Sequence, residues 1–186
     1  MTFTWTPHRF SGGALALDVA NSVVMRFDAA RRIDRYADPV ALDSFAAAAA
    51  SFCSDKDLFG PLEPVAPENR PAFLNLREAT DRHFRAEVLG RPSCEHLADL
   101  LDAASTVIRR HPIKATRTPV DAAAARSALM LATFSERERL KICPNCQWLF
   151  LDRSRNRSRT WCDMTVCGNR VKASRHYQRQ KKELTS

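Results

Sequence analysis

Residues 141–168 read KICPNCQWLFLDRSRNRSRTWCDMTVCG, and the four cysteines in this stretch decide how the last quarter of the chain folds. Cys143 and Cys146 form a Cys-x2-Cys pair; after fifteen residues Cys162 and Cys167 form a Cys-x4-Cys pair. A tight turn through Pro144 and Asn145 brings the first two sulfurs to one side. Four thiolates close a tetrahedral shell and leave no position for water, so the expected metal is a structural Zn2+. Zinc held this way contributes on the order of 10–16 kcal/mol at neutral pH, enough to fold a module with almost no core. A redox Cys-x-x-Cys normally follows a strand of an α/β fold, and no such pattern precedes this one. An iron–sulfur cluster remains the alternative occupant. Between the pairs, Trp148, Phe150 and the Trp161 region are expected to form a short hairpin around the turn at 153–159.

The charge of the chain is concentrated in the same place. Residues 137–183 carry thirteen Lys/Arg against four Asp/Glu, a net +9, while the remainder carries sixteen against seventeen. A near-neutral body with a basic tail points to a polyanionic partner. The segment after Cys167 contains no proline and reads as a helix on which Lys172, Arg175, Arg179 and Lys182 share one face. Ala173, Tyr177 and Leu184 fall opposite, where they are expected to pack on the zinc knuckle. Arg153, Arg155, Arg157 and Arg159 alternate with Ser and Asn in the intervening loop, a composition suited to phosphate contact and to guanine edges. These eight residues, with Arg170, are the candidate nucleic-acid contacts. Duplex DNA is the expected partner; the alternative is an RNA-associated or protein-interaction module in which zinc is purely structural. Trp148 and Trp161 would stack on RNA bases if they were exposed.

Upstream, the pattern is helical and the fold class expected is all-α. A helix is expected over 15–25 after the Gly12-Gly13 turn. Asp38-Pro39 caps and starts another, running to residue 52. A Pro/Gly-rich loop covers 55–67, followed by helices at 70–89, ended by Gly90, and from Ser93 to the His111-Pro112 stop. The last, over 119–140, is expected to run continuously into the zinc module, which places the boundary between a helical domain, 1–138, and the finger, 139–186. No strand pattern of useful length precedes Gln147. Cys53 and Cys94 read as inert thiols outside the cluster. No charged-then-apolar leader and no membrane-length apolar run is visible, so a soluble cytoplasmic protein is expected.

The tail, with Cys143/Cys146, Trp148-Leu149-Phe150, Asp152, Ser154-Arg155-Asn156, Trp161-Cys162, Met164 and Cys167-Gly168-Asn169-Arg170, closely resembles the CGNR zinc finger. The front, with Gly12-Gly13, Leu15, Leu17-Asp18 and Asn21, resembles the opening of the ABATE domain. That opening usually has an aromatic after the Asp and a Thr further on; Val19-Ala20 and Ser22 stand here instead. The resemblance implies a helical N-terminal domain and a transcription-regulator role linked to stress responses in prokaryotes.

No phosphate loop, nucleophile elbow or His-x-x-x-His appears, so no enzyme is expected. Asp18 and Asn21, one helical turn apart in an apolar segment, either tie a neighbouring loop or line a small-molecule effector pocket, for which His83 is a further candidate. Arg77, Asp81, His83 and Arg85 on one long helix read as a solvated face with local ion pairs. A single small reading head contacts few base pairs, so a homodimer is expected on general grounds.

Overall fold

Gly12 and Gly13 lead into α1 (Leu15–Ala20), the shortest helix and the one around which the rest is arranged. All six of its residues are buried. Asn21 caps it, and the chain turns into β1 (Val23–Val24), which pairs antiparallel with β2 (Ile33–Asp34). The helix expected to reach residue 25 therefore stops five residues early. The side chain of Asn21 is engaged elsewhere, and Met25 adopts φ of 50°, which no helix can contain. A computed structural model gives this architecture for residues 3–111 and 116–183; the side chains of residues 175, 176, 179, 182 and 183 lie outside the described set.

Four longer helices follow. Asp38 accepts a hydrogen bond from the Val40 N–H at 3.0 Å and starts α2 (Pro39–Phe52), with proline in the first turn where its missing donor costs nothing. Helix α3 (Arg70–Val88) ends at Gly90, whose φ of 68° returns the Arg91 N–H to the Ala86 carbonyl at 2.9 Å. Ser93 caps α4 (Cys94–Ile108), and α5 (Val120–Ala132) completes the body. Between them, β3 (Leu62–Glu63) pairs parallel with β4 (Thr118–Pro119). The body is thus helical with only minimal strands, and one core joins its helices through Leu15, Leu17, Phe45, Phe73, Leu100 and Val120. No described helix is long and apolar enough to cross a membrane.

The entry to the C-terminal module differs from the continuous helix expected. Helix α5 stops at Ala132, a 3-10 turn occupies Arg137–Arg139, and β5 (Leu140–Ile142) begins at once. Thr133 Oγ1 competes for the last helical carbonyls, bonding Met130 O at 3.0 Å. Strand β5 pairs antiparallel with β6 (Leu149–Leu151) in the register Leu140↔Leu151 and Ile142↔Leu149. The hairpin tip is therefore the Cys143–Cys146 turn itself, and residues 153–159 form a separate loop beyond it, which corrects the expected placement. The two-residue period of β6 divides the molecule. Leu149 and Leu151, with Leu140, belong to the main core, whereas Trp148 and Phe150 pack with Cys143, Cys162 and Cys167 in a second, smaller core. The chain ends in α6 (Asn169–Glu183).

Around α1 the polar groups are spent internally. The Gly12 N–H donates to Asp18 Oδ1 at 2.8 Å, and the Cys53 thiol lies 3.3 Å from Asp18 Oδ2 and 2.9 Å from Asp55 Oδ1. Burial pushes the Asp18 carboxyl up to about 8, against the opposing hydrogen bond from Gly12. The sign follows from linkage. The unfolded chain ionises Asp18 near pH 4 and the folded chain only near 8, so this group's contribution falls as pH rises between them, by roughly 5 kcal/mol at most. Asp18→Asn keeps the acceptor for Gly12 without the charge. In zinc-saturated urea melts, its stability relative to the parent should therefore improve steadily from pH 5 to pH 8.5. A pH-independent difference would show that Asp18 ionises normally in the fold.

Candidate metal centre and nucleic-acid interface

The Cys143–Cys146 turn is built by the backbone. The Cys143 N–H donates to Trp148 O and the Gln147 N–H to Cys143 O, both at 2.8 Å, with Gln147 at φ of 63°. The second pair depends on Asp163, whose Oδ1 accepts from the Thr165 N–H and hydroxyl at 2.8 and 2.7 Å. The backbone then makes one wide helical turn, closed by Gly168 N–H to Asp163 O at 3.2 Å, and this turn carries Cys167 back to Cys162. Gly168 is packed closely: a Cβ there would sit 2.5 Å from the Met164 sulfur, which would have to move, and 3.2 Å from the Trp161 ring.

The four sulfurs lie within 4.8 Å of one another, with Cys146 Sγ 3.5 Å from Cys162 Sγ and Cys162 Sγ 3.7 Å from Cys167 Sγ. Zinc–sulfur bonds of about 2.3 Å in a tetrahedron give sulfur separations of about 3.8 Å, so the donor set fits a tetrathiolate zinc ion. Without a cation the thiols cannot all ionise. Hydrogen bonds from the Cys146 and Cys162 thiols hold Cys143 below the ordinary thiol range, and interaction with Cys143 pushes Cys146 and Cys162 above it. A divalent cation removes that conflict by stabilising every thiolate at once. When bound, zinc acts as a structural cross-link: four protein ligands fill its coordination shell.

The finger is fastened to the body at several points that no local pattern announced. Asn21 Nδ2 donates to Leu149 O at 2.8 Å and its Oδ1 accepts from Leu149 N–H at 3.0 Å, so one side chain pairs with β6 as a neighbouring strand would. The Leu151 N–H donates to Gly12 O at 2.8 Å. Gly13, at φ of 80°, lies so close that a Cβ would meet Leu151 O at 3.0 Å. Arg85, paired with Asp81 at 2.7 and 3.0 Å, also donates to Gln147 O at 3.0 Å. Near the N-terminus, His8 stacks on Trp148 with ring centroids 5.3 Å apart and bonds Asp163 Oδ2 at 2.9 Å.

The face on α3 expected to be solvated is accordingly buried: Arg77, Asp81, His83 and Arg85 are all at or below 9 % exposure. The β1–β2 ribbon and the zinc hairpin cover it, and Arg77 bonds both oxygens of Asp34 at 2.7 and 2.8 Å. Asp18 and Asn21 are buried with internal partners and do not line the cavity that His83 lines. That cavity, of about 250 Å³, lies between α3, α4 and the end of α5, with Glu87, Ser93, Cys94, Leu97 and Arg137. A smaller pocket beside it reaches Phe134 and Leu140 at the entry to the hairpin.

The basic residues divide into two groups. Three of the four loop arginines are occupied: Arg153 Nε bonds Gly13 O at 2.9 Å, Arg157 pairs with Glu136 and Glu138, and Arg159 bonds Cys162 O and lies over the Phe150 ring. The loop is organised by Asp152, a buried carboxylate accepting from Lys141 Nζ at 2.8 Å, Ser154 N–H and Arg159 N–H at 2.9 Å, and the Ser154 hydroxyl at 2.6 Å. Burial alone would raise its pKa, but these donors hold the carboxyl well below the usual range. Arg155, Arg170 and Lys172 are exposed and without a partner among the described residues. Arg175, Arg179 and Lys182 lie on α6, their side chains outside the described set. Ala173 and Tyr177 are exposed and do not cover the knuckle as expected; Leu184 lies outside the described residues. Beyond Val171 every described side chain of α6 is exposed, so the helix projects away from the two cores.

Fold and site together define a small tetrathiolate zinc finger set into a helical body. Residues 139–180 match the family model of the CGNR zinc finger. No curated protein and no solved structure matches the chain.

Proposed function

We propose that the protein is a DNA-binding regulator in which the zinc-folded tail grips duplex DNA and the helical part senses a signal or dimerises. The observation that carries this reading is α6, a basic helix anchored at one end by a metal cluster and solvent-exposed along its described length. Arg155, Arg170 and Lys172 are the foremost contacts, joined along the helix by Arg175, Arg179 and Lys182. Arg153, Arg157 and Arg159 serve mainly to shape the loop. Trp148 is buried beneath His8 and Trp161 is half-buried against the cysteine cluster, so neither offers an open stacking face for RNA bases, which favours a duplex over a single strand. The front of the chain is read as an ABATE-type domain, with the link to stress responses that this resemblance implies. The cavity at His83, which borders the connection into β5, is the site proposed for a small-molecule effector. The reading is of a binding protein and not an enzyme.

The test is duplex binding by fluorescence anisotropy across a salt series. Neutralising about five phosphates predicts a slope of roughly −4.5 in log affinity against log salt. A flat response, or equal competition by single-stranded RNA, would contradict the duplex reading.

A further inference from the structure

Several arginines of the body answer a carboxylate, as Arg77 does Asp34, Arg85 does Asp81 and Arg70 does Asp43. Arg9, Arg35 and Arg170 answer none: among the described residues their guanidinium groups have no hydrogen bond and no ion pair. They come from the 3-10 turn Pro7–Phe10, the end of the β1–β2 ribbon and the first turn of α6. The first two share an aromatic neighbour, Phe3. The Arg9 guanidinium lies over Trp148 at 5.6 Å and Phe3 at 5.8 Å, and that of Arg35 lies over the same Phe3 at 4.2 Å. Two groups facing one ring at those distances are no more than about 10 Å apart. Asp163, which opens the turn that leads to Arg170 at the start of α6, is held by His8, the neighbour of Arg9. The Nε of Arg35 is buried without a partner. Burial, then the charges of Arg35 and Arg170, lower the pKa of Arg9, while the thiolate of Cys146 opposes them.

Resting on the nucleic-acid reading above, we propose that Arg9, Arg35 and Arg170 form one anion site that takes a backbone phosphate. The N-terminal turn is then part of the interface, outside the segment matched as a zinc finger. Guanidinium groups held over aromatic rings without a protein acceptor keep N–H donors for phosphate oxygens. A phosphate here also relieves the repulsion among the three cations.

The experiment compares zinc-loaded full-length protein with Arg35→Gln, Arg170→Gln and Arg9→Gln, and with Arg9→Lys as the charge-preserving control. Arg170 is exposed, so its substitution leaves the fold unperturbed even if the stacked arginines prove structural. Each Gln variant should weaken duplex binding about eightfold at 0.1 M salt and reduce the salt slope by about 1. Unchanged binding by Arg9→Gln and Arg35→Gln, while the parent binds, would overturn this site and leave the broader reading standing. No binding by the parent would sink both. Loss of zinc affinity with intact duplex binding at saturating zinc would assign the arginines to balancing the thiolates. An Arg35-dependent thermal shift with inorganic phosphate, without any change in duplex binding, would make this a free-phosphate site; either result overturns the proposal.

Discussion

Cys162→Ser in the full-length protein should abolish stoichiometric zinc binding and also lower the melting temperature of the helical body. The first effect follows from the donor set. A hydroxyl in place of one thiolate leaves three sulfurs to hold the ion, and roughly 10–16 kcal/mol of metal-linked folding free energy is mostly lost from the module. The second follows from the shared packing. Leu140, Leu149 and Leu151 are buried in the main core, and releasing them removes roughly 5 kcal/mol of apolar burial from the body. For a chain of this size, that corresponds to a fall on the order of 15 °C. Asn21 and Arg85 would lose their partners on Leu149 and Gln147 as well. Chelation of the parent protein should reproduce both effects. A body that melts at the same temperature with and without zinc would mean that the finger is merely tethered, and that the shared core contributes little.

Asp152→Ala should be among the most damaging changes of a polar residue, at roughly 3 kcal/mol. The carboxylate is fully buried and serves Lys141, Ser154 and Arg159 together. Its removal strands two backbone donors and leaves the Lys141 ammonium with only the carbonyls of Arg157 and Arg159, without its counter-charge. Because the loop it organises leads directly to Cys162, zinc should also dissociate faster into a chelator. Asp152→Asn, which keeps one acceptor without the charge, should fall between the two. Urea titration followed by the fluorescence of Trp148 and Trp161 reads the stability, and chelator competition reads the metal. Unaltered values for Asp152→Ala would show that the loop is held by Arg157 and Arg159 without it.

What was legible in the sequence was what local chemistry dictates. Four cysteines at metal spacing identify the zinc site because thiolate geometry leaves few other uses for them, and Asp38-Pro39, Ser93 and Gly90 mark helix ends because capping is a contact within one turn. The failures came where a partner distant in sequence decides. Arg77, Asp81 and Arg85 look like a solvated stripe on an isolated helix, and only the β1–β2 ribbon some forty residues earlier and the hairpin some sixty residues later make them buried anchors. Asn21 is visible as a polar residue in an apolar run, yet nothing local says that its amide pairs with Leu149. His8 and Arg9 carried no signal at all, since their meaning comes from Trp148 and Asp163 at the other end of the chain. The loop arginines erred in the opposite sense. Their composition suited phosphate, but Arg153, Arg157 and Arg159 find acceptors within the protein.

The most direct test of the whole account is a zinc titration into metal-free full-length protein, with bound metal and duplex-DNA anisotropy followed in the same samples. One zinc ion per chain should bind, and salt-sensitive DNA binding should rise in step with it. DNA binding of equal affinity and equal salt slope before any zinc is added would contradict the claim that the metal builds the surface that meets the nucleic acid.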